Sequence, residues 1–550
     1  MNTWFRLLSL PATLVWLSSP ALARQNTVIG EVSLGYDFQE RQYDEGDVNE
    51  GEQEEVVAEE TATTPEVIVI EDRRGDRRRW FVSPRVRFGS QGLQDLFEFT
   101  YAPLLSYDDL YDENEVDHSL NLLFQKDFSR NWSIKTSNSF YYGEDPVLDK
   151  ALRTETIIPG QEAVEETPVV GSEPEEESDQ ELSETFGRRR FWRNDLSLST
   201  DYTYGQDSFA GLGYNFGLLR NIDGNPGGYS DYDRHEGSLR FGHRFSKQWQ
   251  TEITARYVKG IYDEQQVVVV RPGEETGSDA SAAEGDGESA AVAEPTPERE
   301  RLDDLDEDLQ EYHGVLRLNY DWQASDQFFG KYRYSSTDYE ALLREDSTIH
   351  EFSLGWNHDF SRQLRMTLSG GPSLVSYSNS DRANETDVNG LASLTWETLH
   401  GALNLSAEGG LDYENFDGRR SGLTQFWRSG ASYSYQFTPA LSTVLSAGYR
   451  NNRRNQSPST GTVEIVDDGT LPEPGSAEAA ELEEKARQAL DREYTEDIYD
   501  AGITLSYTFM RWYTLSSSYR YYNNRSGGAQ DYDEHRVLIT LSASKDLFRW

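Results

Sequence analysis

The side chains best placed to do chemistry in this 550-residue sequence are charged ones at even spacing inside amphipathic segments. Arg85 and Arg87 stand two apart, as do Lys331 and Arg333. Glu236, Arg240 and Arg244 stand four apart, as do Glu252 and Arg256, and Glu408 and Asp412. Glu98, Glu351, Arg428, Arg450, Arg520 and Arg536 occupy the same phase of their own segments. Even spacing puts each set on one face of a strand. Inside a wide closed wall, mixed charges would line a wet channel and sort hydrophilic solutes. The alternative is that they pair across the wall as polar filling. On both readings that face is polar.

Catalytic chemistry has less support. Of eight histidines, His118, His350 and His358 fall on the opposite, apolar phase, and His235 and His535 sit near the starts of strands. No Ser/His/acid grouping, zinc-ligand spacing or phosphate-cradling glycine loop stands out. Asp286, between Gly285 and Gly287, has no spaced partners of the EF-hand kind. The chain has no cysteine, which excludes a disulfide scaffold and a thiolate metal site. No enzyme activity and no cofactor are expected.

The elements that must position these residues repeat with a period of two. Val28, Gly30, Val32, Leu34, Tyr36 and Phe38 alternate with more polar neighbours; Phe352, Leu354, Trp356 and Phe360 do so in a later segment, and Leu403, Leu405, Leu411 and Tyr413 in another. Such runs of ten or more residues suit tilted membrane-crossing strands and exceed the usual strand of a soluble sheet. Twenty strands are predicted, near 28–41, 79–90, 93–107, 116–128, 132–142, 190–204, 209–219, 234–245, 249–262, 310–322, 328–338, 347–360, 364–377, 386–397, 402–414, 423–437, 441–452, 497–509, 513–523 and 532–547, with eighteen as the alternative count. An even number leaves both ends of an all-β up-and-down barrel on the periplasmic side.

One short pattern recurs where paired strands meet: an aromatic residue, a few mostly polar ones, then a large apolar one. Phe128 and Trp132, Phe245 and Trp249, Trp322 and Phe328, Phe360 and Leu364, Phe437 and Leu441, and Phe509 with Trp512 and Tyr513 are its instances. A tight turn would leave these rings, with the terminal Trp550, at one depth in a membrane–water girdle. Tyr107, Tyr142, Tyr257, Tyr334, Tyr413, Tyr449 and Tyr521 would form the girdle at the other edge.

The opposite connections are long and acidic. Residues 44–78, 143–189, 263–308 and 453–496 together hold 54 acidic and 16 basic side chains, so they carry most of the formal net charge of −46. Nucleic acid is an improbable partner for such a chain. The loops at 143–189 and 263–308 read as mobile from their Glu, Pro, Ala, Gly and Ser content. Glu481/Lys485 and Glu483/Arg487 predict a short surface helix over 477–492. Solvated loops, cation binding and gating of the mouth are all open to them.

At the start, Arg6, a broken apolar stretch from Leu7 to Leu17 and Ala21-Leu22-Ala23 predict a signal peptide over 1–23, with a single barrel domain over 24–550. No run of eighteen apolar residues follows, so no helix is expected to span a bilayer. A mean hydropathy of −0.74 beside 32 Tyr, 24 Phe and 12 Trp fits strands that are apolar on one face only. No plug ahead of the first strand and no soluble repeat domains are recognised, which disfavours TonB-dependent and barrel-insertion classes.

The residues 512–522 (WYTLSSSYRYY) and 531–538 (DYDEHRVL) resemble the family known as β-barrel porin 2, and similar hairpin texture runs back to about residue 190. The resemblance implies an outer-membrane barrel of the kind associated with capsule or exopolysaccharide export, and no catalytic residue. The final Leu547-Phe548-Arg549-Trp550 is similar to the signal read by the barrel-assembly machinery, although the alternation slips at Leu547 and Phe548. The expected location is the bacterial outer membrane. Expected partners are its lipid and lipopolysaccharide, the assembly machinery, and periplasmic polysaccharide-export components. The leading expectation is passage of an exopolysaccharide or another hydrophilic solute. The alternatives are a general diffusion porin and an adhesive surface protein anchored by its barrel.

Overall fold

The two-residue period closes on itself. In a computed structural model, the described residues are 24–43, 77–109, 112–143, 190–222, 231–262, 265–271, 298–305, 308–340, 346–378, 384–416, 422–454, 465–466, 494–525 and 531–550. The strands in chain order are β1 (Gln25–Tyr43), β2 (Arg77–Gln91), β3 (Asp95–Asp108), β4 (Glu113–Ser129), β5 (Trp132–Gly143), β6 (Phe191–Gly205), β7 (Ser208–Asn221), β8 (Tyr232–Arg244), β9 (Trp249–Tyr262), β10 (Gln265–Arg271), β11 (Glu298–Leu305), β12 (Leu309–Gln323), β13 (Asp326–Tyr339), β14 (Ser347–Asp359), β15 (Leu364–Tyr377), β16 (Glu385–Glu397), β17 (Gly401–Glu414), β18 (Gly422–Thr438), β19 (Leu441–Arg454), β20 (Ile465–Val466), β21 (Tyr494–Phe509), β22 (Tyr513–Arg525) and β23 (Tyr532–Arg549). Twenty of them form one antiparallel sheet in which each barrel strand pairs with the next. β1 pairs with both β2 and β23, so the sheet is a closed barrel without edges.

Each predicted strand corresponds to one barrel strand, with ends within about three residues. Of the remaining three strands, β10 and β11 lie within 263–308 and correct its reading as a mobile loop. There the β-branched run Val267–Val270 pairs β10 with β11, and β20, from the 453–496 segment, joins in parallel. The predicted signal peptide, the helix over 477–492 and the 143–189 loop (apart from its first residue) lie outside the described residues.

Connections at one end are short, from two residues (130–131) to four (245–248), and the long insertions all leave from the other end. By that asymmetry the short turns are periplasmic and the long segments extracellular. At the periplasmic turns the paired aromatics meet: Phe128 on Trp132 at 4.6 Å, Phe509 on Tyr513 at 5.5 Å, and Trp322 edge-on to Phe328 at 6.3 Å. In the turn between Phe509 and Tyr513, Met510 and Arg511 both adopt left-handed backbone, with φ of 51° and 63°.

The outer wall exposes Val32, Leu34, Val82, Leu212, Leu239, Leu316, Leu354, Ile503 and Leu541 between its aromatic edges. Exposed apolar residues at alternate positions all round a closed barrel make a membrane-spanning wall. The slip near the C-terminus has a local cause. Val28 pairs with Phe548 but Ile29 with Asp546, so Leu547 is the extra residue of a bulge. Its side chain lies over Gly30, where an added Cβ would come 2.8 Å from Leu547 Cδ1. The bulge leaves Leu547 and Phe548 both exposed on the outer wall.

Candidate functional site

The lumen-phase charges lie on the barrel's inner face. Arg85, Arg87, Glu98, Glu236, Arg240, Arg244, Glu252, Arg256, Lys331, Arg333, Glu351, Glu408, Arg428, Arg450, Arg520 and Arg536 all alternate with outward apolar or aromatic neighbours. Many meet opposite charges on the next strand or the next but one. Arg85 lies 3.4 Å from Glu31, Arg240 3.1 Å from Asp201, and Arg428 2.9 Å from Glu408. Arg244 contacts Asp207 at 2.8 Å and Asp321 at 3.1 Å. The tightest group straddles the closure seam. Asp37, 1% exposed, accepts from Arg79, 0% exposed, at 2.7 Å and from Arg536 at 2.9 and 3.0 Å. Buried ions must be paired in this way to offset desolvation. Arg428 and Arg450 nevertheless face each other directly, as do Arg520 and Arg536, so part of the wall stacks like charge.

One feature of the lumen is not legible from alternation. β17 pairs with β16 only as far as Gly409 opposite Gly390, while its pairing with β18 continues to Glu414 opposite Gly422. The tip of this hairpin therefore leaves the wall and folds inward. Gly409 is the tight position here, because an added Cβ would come 2.3 Å from the Trp427 ring that lies over it, whereas a Cβ at Gly410 would meet only an ordinary contact with Asn389 at 3.5 Å. The chain re-enters β18 through Gly422, whose φ of 71° suits glycine.

Inside, the tip lies against the inner faces of barrel strands β8, β9 and β12 to β15. Leu411 and Tyr413 pack on Ile349 and Val375. Arg333, held by Glu351, donates to the Leu411 carbonyl. The Tyr413 hydroxyl meets Ser347 Oγ and donates to the Ser347 carbonyl, both at 2.9 Å. Asn415 accepts from the Tyr339 hydroxyl at 2.7 Å and donates to Glu311 at 2.6 Å; Glu311 also meets His313 at 3.0 Å. The hydroxyls of Tyr262 and Tyr232 donate to the carbonyls of Asn415 and Phe416 at 2.7 and 3.2 Å. Phe416, 3% exposed, joins a cluster of Tyr141, Phe191, Leu219, Tyr232, Val258, Tyr262 and Leu309, with Arg234 over its ring at 5.1 Å. Beside it, just before β14, Asp346 accepts the Tyr339 N–H at 2.7 Å, and burial raises its carboxyl pKa.

Tyr413 is thus a correction: it belongs to this inner tip and not to an outer girdle, because its hairpin has left the wall. Asp412 lies on the same tip. The other outer-girdle tyrosines do meet rings or polar groups at the extracellular edge, as with Tyr257 on Tyr312 at 5.2 Å and Tyr449 on Tyr499 at 4.9 Å. His235 and His535 face outward with His118, His350 and His358. The missed feature had a signal. Leu219, Val258, Leu309, Ile349 and Val375 are apolar residues on the polar phase of their strands, all at extracellular ends. A water-filled lumen does not favour them there, and something apolar must cover them.

A closed barrel with an apolar outer wall, aromatic edges and a charged interior is an outer-membrane β-barrel. No family model matches the chain, and no curated protein does. Among solved structures, it is similar to Pseudomonas aeruginosa OpdQ (TM-score 0.35, 10% identity, 95% of this chain and 98% of that one). It is also similar to the ferric enterobactin receptor PfeA of Pseudomonas aeruginosa (TM-score 0.44, 9% identity, 94% and 80%) and to Acinetobacter baumannii OccAB4 (TM-score 0.33, 10% identity, 94% and 98%). At these identities and TM-scores the likeness says nothing about cargo.

Proposed function

We propose that this barrel is a channel for hydrophilic solutes, narrowed at its extracellular mouth by the β17–β18 tip. The observation that carries the proposal is the docking of Leu411, Tyr413, Asn415 and Phe416 against the inner wall, above a lumen lined by paired charges. Paired and mixed charges favour hydrated cargo without strong preference for either ion sign. A narrowed mouth would limit solute size. Within this reading, an exopolysaccharide is the cargo implied by the strands' resemblance to β-barrel porin 2. Passage of such a polymer would be eased if the tip moved aside. A general diffusion porin is the second reading, favoured by the charge-paired lumen.

Liposome swelling with neutral sugars of increasing size, together with planar-bilayer conductance, separates these readings. Steady conductance with a sharp size cut-off at small oligosaccharides supports the diffusion porin. A low resting conductance that is blocked or modulated by a long anionic polysaccharide supports export. A folded barrel that passes neither ions nor sugars, before or after removal of residues 411–421, would overturn the channel proposal.

A further inference from the structure

Four of the eight histidines repeat one arrangement on the outer wall. His118, His235, His350 and His535 each meet the hydroxyl of a tyrosine on the preceding strand through Nδ1, at 2.8 to 3.0 Å: Tyr101, Tyr214, Tyr332 and Tyr519. In each case the tyrosine lies one diagonal step deeper in the wall than the histidine. A second ring flanks each imidazole: Tyr142, Phe216, Tyr334 and Tyr521, at 5.1 to 5.9 Å. His235, His350 and His535 each come three positions after the first residue of their strand, and His118 five. All four strands start at the extracellular edge, so the four rings lie at nearly one level.

We propose that this belt binds the phosphate groups of outer-leaflet lipid. A phenol sunk in the wall needs a hydrogen-bond partner, since lipid supplies none, and Nδ1 provides it. A neutral imidazole that accepts at Nδ1 carries its proton on Nε2. Among the described residues no protein atom takes Nε2, which leaves one N–H donor per histidine at the level of the headgroups. Phosphate oxygens are anionic acceptors and make strong hydrogen bonds to such donors. Lys259, on the outward phase directly across from His235 and 3.9 Å from Asp308, brings a cation to the same edge, and Asp533 beside His535 is offset by Arg525 at 3.1 Å. The periplasmic edge is built differently. It carries Trp132, Trp249, Trp322 and Trp512 and, among the described residues, one His–Tyr pair, His243 with Tyr204 at 3.0 Å.

The test uses the folded full-length barrel in phosphate-free detergent, with 15N-labelled histidine, titrated with short-chain phosphatidic acid or with diacylglycerol of the same chains. The expected result is a shift of the four Nε2 resonances with phosphatidic acid and none with diacylglycerol. Replacing all four histidines by leucine should weaken retention of phosphatidic acid about tenfold. Equal shifts with both lipids, or undiminished retention by the fourfold variant, overturns the proposal. Should that variant fail to fold, the set Tyr101→Phe, Tyr214→Phe, Tyr332→Phe and Tyr519→Phe keeps every ring and frees each Nδ1. Weaker retention by that set supports the belt, and retention equal to the parent's overturns it.

Discussion

Truncating Phe416 to alanine isolates what holds the hairpin tip inside the barrel. The ring is covered by Tyr232 at 5.3 Å and Tyr262 at 5.9 Å, and Arg234 lies over it. Removing a fully buried phenylalanine costs about 3–5 kcal/mol when the surroundings do not close over the gap. A hairpin tip can settle partly, so the lower figure applies, about 3 kcal/mol, and the ratio of docked to undocked tips falls on the order of 150-fold. What remains is the packing of Leu411 and Tyr413 on Ile349 and Val375, the Arg333, Tyr262 and Tyr232 bonds to tip carbonyls, the Tyr413 contact with Ser347, and the Asn415 bonds to Tyr339 and Glu311, worth about 1 kcal/mol for each neutral bond and about 2 kcal/mol for one to a charged group. The Phe416→Ala barrel should therefore visit an undocked state often enough to be recorded in a planar bilayer. The expected record has raised mean conductance, added open-channel noise or a second level. Adding Asn415→Ala should shift the balance further toward the wide level. A Phe416→Ala protein that keeps heat-modifiable migration, yet matches the parent in conductance and noise, would refute the assignment of the tip as the narrowing element.

Other substitutions test the same physics elsewhere. Gly422→Val places a β-branched residue at φ 71° where the chain leaves the tip, and should loosen the docked state by about 1–2 kcal/mol, seen as extra noise in single-channel records. Asp37→Ala removes the buried carboxylate that Arg79 and Arg536 share at the seam and should destabilise the barrel by about 3–5 kcal/mol in urea unfolding from detergent. Glu408→Ala, which removes a partly exposed ion pair, should cost no more than about 1 kcal/mol in the same titration. Arg511→Gly relieves left-handed backbone at φ 63° in the β21–β22 turn and should raise stability by about 0.5–1 kcal/mol.

The strands were readable because a bilayer outside and water inside impose opposite demands on alternate residues, so the period of two persists for ten or more positions. The turns were readable because Phe128 and Trp132, or Phe509 and Tyr513, must share one depth. Alternation does not report how a hairpin leans once it passes its last wall neighbour. Through Leu411 and Tyr413 the β17 pattern continues unchanged, although the chain has left β16 at Gly409. The same limit explains β10 and β11: an acidic, glycine- and alanine-rich segment hid the short valine run that pairs there.

The inward tip and the wall beneath it explain each other. A lumen filled with water would be served by polar residues along the whole inner phase, as in Arg85, Ser83 and Glu31 near the seam. Strands β7, β9, β12, β14 and β15 depart from that at their extracellular ends with Leu219, Val258, Leu309, Ile349 and Val375, each under 3% exposed. These side chains have no reason to be apolar unless another part of the chain removes them from water. The only described segment that reaches both groups is the β17–β18 tip, with Phe416 in the first cluster and Leu411 and Tyr413 in the second. The hairpin parts from the wall at Gly409, and five strands keep an apolar surface for it to land on. The docked tip is therefore written into the sequence at two distant places, and either alone would look like a flaw in the barrel pattern.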